Sequence, residues 1–112
     1  MPPESASDAL SAQCGLGPAT IAKIVTVFAQ YPALEKALLY GSRAKGNYRP
    51  GSDIDLSLFG DALNYAQLGQ IENQLDDLLL PYTFDLSLFR HIDNPDLVEH
   101  IRRVGIVFYQ KK

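Results

Sequence analysis

Asp53 and Asp55 alternate along a stretch, Asp53 to Phe59, in which polar and apolar residues take turns. Asp53, Asp55 and Ser57 therefore share one face of a strand, and Ile54, Leu56 and Leu58 share the other. Two carboxylates held this close repel unless a cation sits between them. Magnesium suits such a pair, because it accepts carboxylates together with phosphate oxygens. Asp85 offers a third carboxylate, and it too opens an alternating run, Thr83 to Phe89. Three acids allow two metals, which can clamp the attacking and leaving oxygens of an in-line phosphoryl displacement. Upstream, Gly41-Ser42 follows the apolar stretch Lys36 to Tyr40. Glycine lets a phosphate approach the backbone, and Ser42 is placed to cap the short turn Arg43-Ala44-Lys45 that Gly46 closes, making an anion cradle. Arg43, Lys45 and Arg49 add positive charge, with no acid between Lys36 and Asp53.

The elements that must position these groups follow from the surrounding pattern. The pentapeptide Asp-Leu-Ser-Leu-Phe occurs at 55–59 and again at 85–89. A helical stripe, Leu68, Ile71, Leu75, Leu78 and Leu79, lies between the copies within 62–79. Strand, helix, strand is a βαβ unit with parallel strands, so neighbouring strands would bring Asp55 and Asp85 side by side. Ala33 to Leu39 could continue as helix by propensity. A strand over 36–40, antiparallel to 53–59, instead carries Gly41-Ser42 to the same sheet edge as the acids, and we prefer it. Ile21, Ile24, Val25 and Phe28 mark one face of an earlier helix that starts near Pro18 and stops at Pro32. Asn94-Pro95 opens a last helix, buried through Leu97, Val98, Ile101 and Val104 and ended by Gly105. Ile106 to Tyr109 forms a final strand or extended tail. Residues 1–17 read as a loosely ordered leader with one short helix at most, and 18–112 as the domain.

Composition narrows the field further. A chain of 112 residues fits one domain. Ten basic against thirteen acidic residues give a net charge of −3, which disfavours a nucleic-acid binder. A lone Cys14 excludes an intrachain disulfide framework or a cysteine zinc site. His91 and His100 lack ligand spacing, and His91 could at most line the pocket. No apolar run could span a bilayer and the first residues form no secretory signal, so a cytoplasmic location is expected. Gly15-Leu16-Gly17-Pro18-Ala19 resembles a helix-hairpin-helix turn, yet only Lys23 is near enough to neutralise phosphate. After Gly41 and Gly46 comes Asn47-Tyr48, not the Lys-Ser/Thr of a Walker loop. Of the six tyrosines, Tyr48, in the loop before the acids, is the one expected near a ligand.

Gly41-Ser42, ten intervening residues, Asp53-x-Asp55 and a later strand aspartate resemble the signature of the DNA polymerase β-like nucleotidyltransferase superfamily. The wording Leu39-Tyr40-Gly41-Ser42-Arg43-Ala44-Lys45-Gly46, then Ser52-Asp53-Ile54-Asp55-Leu56, is most similar to its smallest branch, the minimal nucleotidyltransferases (MNT). The likeness covers roughly residues 20 to 109. It implies an α+β fold, a small mixed β-sheet flanked by α-helices. It implies that Asp53, Asp55 and Asp85 bind magnesium (two ions) and are catalytic, Asp85 also helping to activate an acceptor hydroxyl. Gly41, Ser42 and Arg43 would bind the nucleotide phosphates. The implied reaction moves a nucleoside monophosphate, AMP from ATP or another NTP, to a hydroxyl and releases pyrophosphate. Proteins of this branch pair with a helical HEPN toxin and act as its antitoxin, some by transferring AMP to a toxin tyrosine. The alternative is a non-catalytic antitoxin that neutralises its partner by contact, against which the three intact acids argue.

Overall fold

A computed structural model describes residues 9–112. After a helical stretch at residues 9–14, the elements are α1 (Pro18–Phe28), β1 (Lys36–Tyr40), a single-turn helix α2 (Ser42–Lys45), β2 (Ile54–Phe59), α3 (Tyr65–Asp77), β3 (Phe84–Leu88), a 3-10 turn (Phe89–His91), α4 (Pro95–Val104) and β4 (Ile106–Gln110). The strands form one mixed sheet in the order β3–β2–β1–β4. β1 is antiparallel to both of its neighbours, and β2 and β3 are parallel. The strand at 36–40, the βαβ unit and the mixed sheet expected from the sequence are all present. The final run is a paired strand, not a tail: it hydrogen-bonds to β1 with a register shift between Ala37 and Leu38.

Each helix start has a local cause. Pro18 lies in the first turn of α1, where its missing N–H costs nothing. Asn64 caps α3 in a reciprocal box with Gln67, so the helix begins at Tyr65 and not at residue 62 as expected. Asn94 accepts from the amides of Asp96 and Leu97, and Pro95 follows it. Arg102 and Arg103 complement the dipole in the last turn of α4.

The two sheet faces have different jobs. On one, Ala37, Leu39, Ile54, Leu56 and Leu58 meet Ile21, Ile24, Val27 and Phe28 of α1 and Leu68, Ile71 and Leu75 of α3. Burying such side chains is worth about 1.5–3 kcal/mol each and supplies the main driving force for folding. On the other face α4 crosses β1, with Ile101 buried and Gly105 close to Leu38. This second face carries Tyr40, Asp55 and Asp85 in one row and Leu38, Ser57 and Ser87 in the next.

The expected leader does not stay loose throughout. Residues 1–8 lie outside the described residues, but Cys14 and Leu16 are fully buried in the main core. The Gln13 amide donates to the Ala44 carbonyl at 2.8 Å, and Gly15 packs so closely beneath Tyr48 that a Cβ would collide with its ring. Among the described residues of the segment, Leu10 also packs against this core beside Cys14 and Leu16.

Candidate functional site

The sheet register builds the site. Tyr40 of β1 pairs with Asp55 of β2, and Asp55 pairs with Asp85 of β3. Paired residues project to the same side of a sheet, so one phenol and two carboxylates stand in a row. β1 ends at that row, and the chain turns at Gly41 with φ 76° and ψ −157°. Only glycine adopts this conformation freely. A side chain there would also strike the Asp55 carboxylate, which fills the space that a Cβ would occupy. The missing side chain of Gly41 thus lets an acid and a turn of backbone amides come together, as phosphate binding requires.

Ser42 takes a different part from the one expected. Gly41 is the N-cap of α2 and Ser42 is its first residue, with no side-chain capping bond. The turn is held by backbone alone: the Lys45 amide donates to the Gly41 carbonyl at 3.1 Å and the Asn47 amide to the Ser42 carbonyl at 3.1 Å. Gly46 closes it in the left-handed region, as its type predicts. The half-buried Ser42 side chain is therefore not spent on capping.

Ionisation is disfavoured at Asp55. Burial, then the negative charges of Asp85 and Asp53, push its carboxyl from 3.8 up to about 6. Burial likewise raises the Tyr40 phenol above its usual 10.0; a hydrogen bond with Ser87 opposes this, and the charges of Asp85 and Asp55 add to it. Asp53 and Asp85 are exposed. The three acids are close enough to repel, yet among the described residues no three His, Cys, Asp or Glu side chains are set to enclose an ion. The expected three-carboxylate metal set is therefore not preassembled, because Asp53 precedes the strand and is not fixed by its ladder. Hard oxygen donors with uncompensated repulsion are the chemistry that a divalent cation relieves, and the donor set fits magnesium if phosphate oxygens and water complete the shell.

Arg43 is a correction. Its side chain is only 2% exposed, so it was a poor candidate for a phosphate helper. Its Nε donates to the Ser52 carbonyl at 3.1 Å and its Nη1 to the Cys14 carbonyl at 2.9 Å. The guanidinium lies between the rings of Tyr48 and Tyr82, 5.1 and 5.0 Å from their centroids. A planar, always charged group can be buried when carbonyls and aromatic faces replace water, and lysine could not do the same. Tyr48 is consequently a packing partner of Arg43 and Gly15. Lys45 and Arg49 remain exposed near the turn. His91 stacks on Tyr65 at 5.1 Å, beyond the opposite end of β3 from Asp85. Sequence reasoning put Ser57 on the face of the acids but missed Tyr40 and Ser87 as site neighbours; Ser87 was signalled by its place in the repeated pentapeptide.

A mixed sheet that gathers a glycine-serine turn and strand carboxylates at one edge defines a small nucleotide-transfer domain. The family model described as Polymerase beta, Nucleotidyltransferase matches residues 22–112. The chain belongs to that family. A toxin–antitoxin crystal structure with AMP-PNP has a similar chain, with 22% identity and a TM-score of 0.66 over 82% of this chain and 74% of that one. An MntA–HepT toxin–antitoxin structure is similar at 20% identity and a TM-score of 0.62, covering 85% and 74%. So is a tri-AMPylated Shewanella oneidensis HEPN toxin in complex with MNT antitoxin, at 20% identity and a TM-score of 0.62, covering 83% and 71%. At these identities the likeness establishes the fold. Among curated protein sequences, none matches the chain. No helix among the described residues is long and apolar enough to cross a membrane.

Proposed function

We propose that the protein is a magnesium-dependent nucleotidyltransferase of the MNT branch that transfers AMP from ATP to a hydroxyl, a tyrosine of a partner HEPN toxin, and so acts as an antitoxin in the cytoplasm. The observation that carries this reading is the in-register pair Asp55–Asp85 beside the Gly41–Ser42 turn, within a domain of the nucleotidyltransferase family. The neighbours support its direction: one holds AMP-PNP, and another contains an AMPylated HEPN toxin.

In this reading the backbone of Gly41 and Ser42 holds the β- and γ-phosphates. Asp53, Asp55 and Asp85 hold magnesium, which when bound neutralises phosphate charge and the repulsion between the acids. Asp85, the more exposed of the two paired acids, takes the acceptor's proton. The hydroxyl oxygen forms a bond to the α-phosphorus. The bond from that phosphorus to the bridging oxygen breaks, and pyrophosphate leaves with the electron pair. Arg43 has no part in this and keeps the loop between the turn and Asp53 in place.

The test is incubation with ATP labelled at the α-phosphate, magnesium and a HEPN-type partner. Label is expected on the partner with the wild type and on nothing with Asp55→Ala. Equal labelling by both would overturn the mechanism. If the Asp53→Ala/Asp55→Ala protein still protected cells from the toxin, neutralisation would rest on contact alone.

A further inference from the structure

We propose that the open edge of β3 is where the acceptor docks: an extended segment of the partner pairs with it as a fifth strand, sets the residue that bears the hydroxyl beside Asp85, and lays a basic side chain in an acidic cavity next to the strand. This inference rests on the functional reading above and adds the mode of recognition to it. β3 is the last strand of the sheet on its side, paired only with β2. The Ile54 amide donates to the Thr83 carbonyl at 2.9 Å, so at Thr83 the backbone faces β2. Backbone direction alternates along a strand. Asp85 and Ser87 therefore also face β2, and the N–H and C=O groups of Phe84 and Leu86 face outward. Among the described residues none of these outward groups meets another backbone group. Natural sheets usually cover or blunt such an edge, and a free one is a template for another chain.

The surroundings of the edge choose its occupant. A guest strand running antiparallel to β3 meets Asp85 at a non-hydrogen-bonded position, where facing side chains come closest. The guest residue there shares the sheet face and the row of Asp85 and Asp55. The other face is lined differently. Beside the start of β3 lies a cavity of about 230 Å³, formed by Glu72, Asn73 and Asp76 of α3 with Tyr82, Thr83 and Phe84. Glu72 and Asp76 are exposed, and among the described residues no cation pairs with either. A lysine or arginine of the guest complements them. Because α3 packs on the sheet face opposite to Asp85, that basic residue stands an odd number of positions from the hydroxyl residue. A second copy of this chain does not suit the edge, since it would bring another Asp85, Glu72 and Asp76 against the first set.

The experiment follows backbone amide exchange in the full chain by NMR, with and without a HEPN-type partner and without ATP, so that no turnover is needed. The amides of Phe84 and Leu86 are expected to slow by about tenfold or more in the complex, while those of Asp85 and Ser87, already committed to β2, change little. Glu72→Lys/Asp76→Lys is expected to raise the KM for the partner about tenfold, with kcat, the KM for ATP and the melting temperature unchanged. A bound partner that leaves Phe84 and Leu86 exchanging as in the free chain would overturn the proposal, as would a wild-type KM in the charge-reversed variant. Slowing of the same amides on concentrating the protein alone would give the edge to a second copy and overturn it too. Slowed amides without AMP transfer to the partner would overturn the transferase reading and leave the dock standing.

Discussion

The same five residues, Asp-Leu-Ser-Leu-Phe, stand in two neighbouring parallel strands and lead different lives. In β2 the copy lies between two strands, and Leu56, Ser57 and Leu58 are buried with at most 1% exposure. In β3 it forms the sheet edge: Asp85 is exposed, Leu86 and Ser87 are half-buried, and Phe89 has left the strand for the 3-10 turn. The two phenylalanines still meet, stacked at 4.3 Å, so the copies diverge in surroundings and not in alignment. Asp55 pays for its central place with a carboxyl that resists ionisation, whereas Asp85 is open to incoming groups. Position in the sheet, not residue type, decides which of two identical acids is held and which is free to meet a substrate.

Paired substitutions test that contrast, beginning with turnover. Asp55→Ala and Asp85→Ala are each expected to lower AMP transfer by about 10³-fold, measured by label incorporation under single-turnover conditions. They should differ in the metal-free protein, where Asp55→Ala relieves a buried charge and raises the melting temperature at neutral pH while Asp85→Ala has little effect. The leucines come next. Leu56→Ala empties a fully buried site and should cost about 2–5 kcal/mol in urea unfolding, while half-buried Leu86→Ala should cost about 1–2 kcal/mol. Equal costs would show that the edge copy is packed as tightly as the central one.

A smaller effect is expected in the pH dependence of stability. A carboxyl raised in the native state binds more protons there than in the unfolded chain, so stability is highest below 3.8, falls as pH rises from 3.8 to about 6, and then levels off. Asp55→Asn should remove this fall, and Asp85→Asn should narrow it, because Asp85 is one of the charges acting on Asp55. Urea midpoints across that window measure both. Smallest of all, Ser57→Ala should cost about 1 kcal/mol in urea unfolding, since it strips the buried acceptor of the Ser87 hydroxyl, and Ser87→Ala less than that, since its place is half-buried.

What could be read from the chain depended on how local each cause was. Alternation revealed β2, the repeated pentapeptide revealed its parallel partner, and Asn94-Pro95 revealed the start of α4, because each signal lies within a few residues. The strand over 36–40 needed an argument about where Gly41 must arrive, since its own residues favour helix equally well. Three things were hidden because they depend on distant partners. Arg43 reads as a phosphate ligand until Cys14 and Ser52 claim its donors. Ser42 reads as a cap until Gly41, at positive φ, takes that place. Tyr40 reads as an ordinary strand aromatic until the sheet register sets it beside Asp55.

The guanidinium of Arg43 also governs how this protein can be handled. It rivets the carbonyl of Cys14 to that of Ser52, one residue ahead of the first acid. An expression boundary drawn at Pro18, where α1 begins, would discard one of these carbonyls together with Leu16 and Gly15. A trimmed protein would then hold the guanidinium through the Ser52 carbonyl alone, with the Cys14 carbonyl gone. The same cut would free the strap that delivers Asp53, so an inactive truncation would report lost scaffolding and say nothing about chemistry.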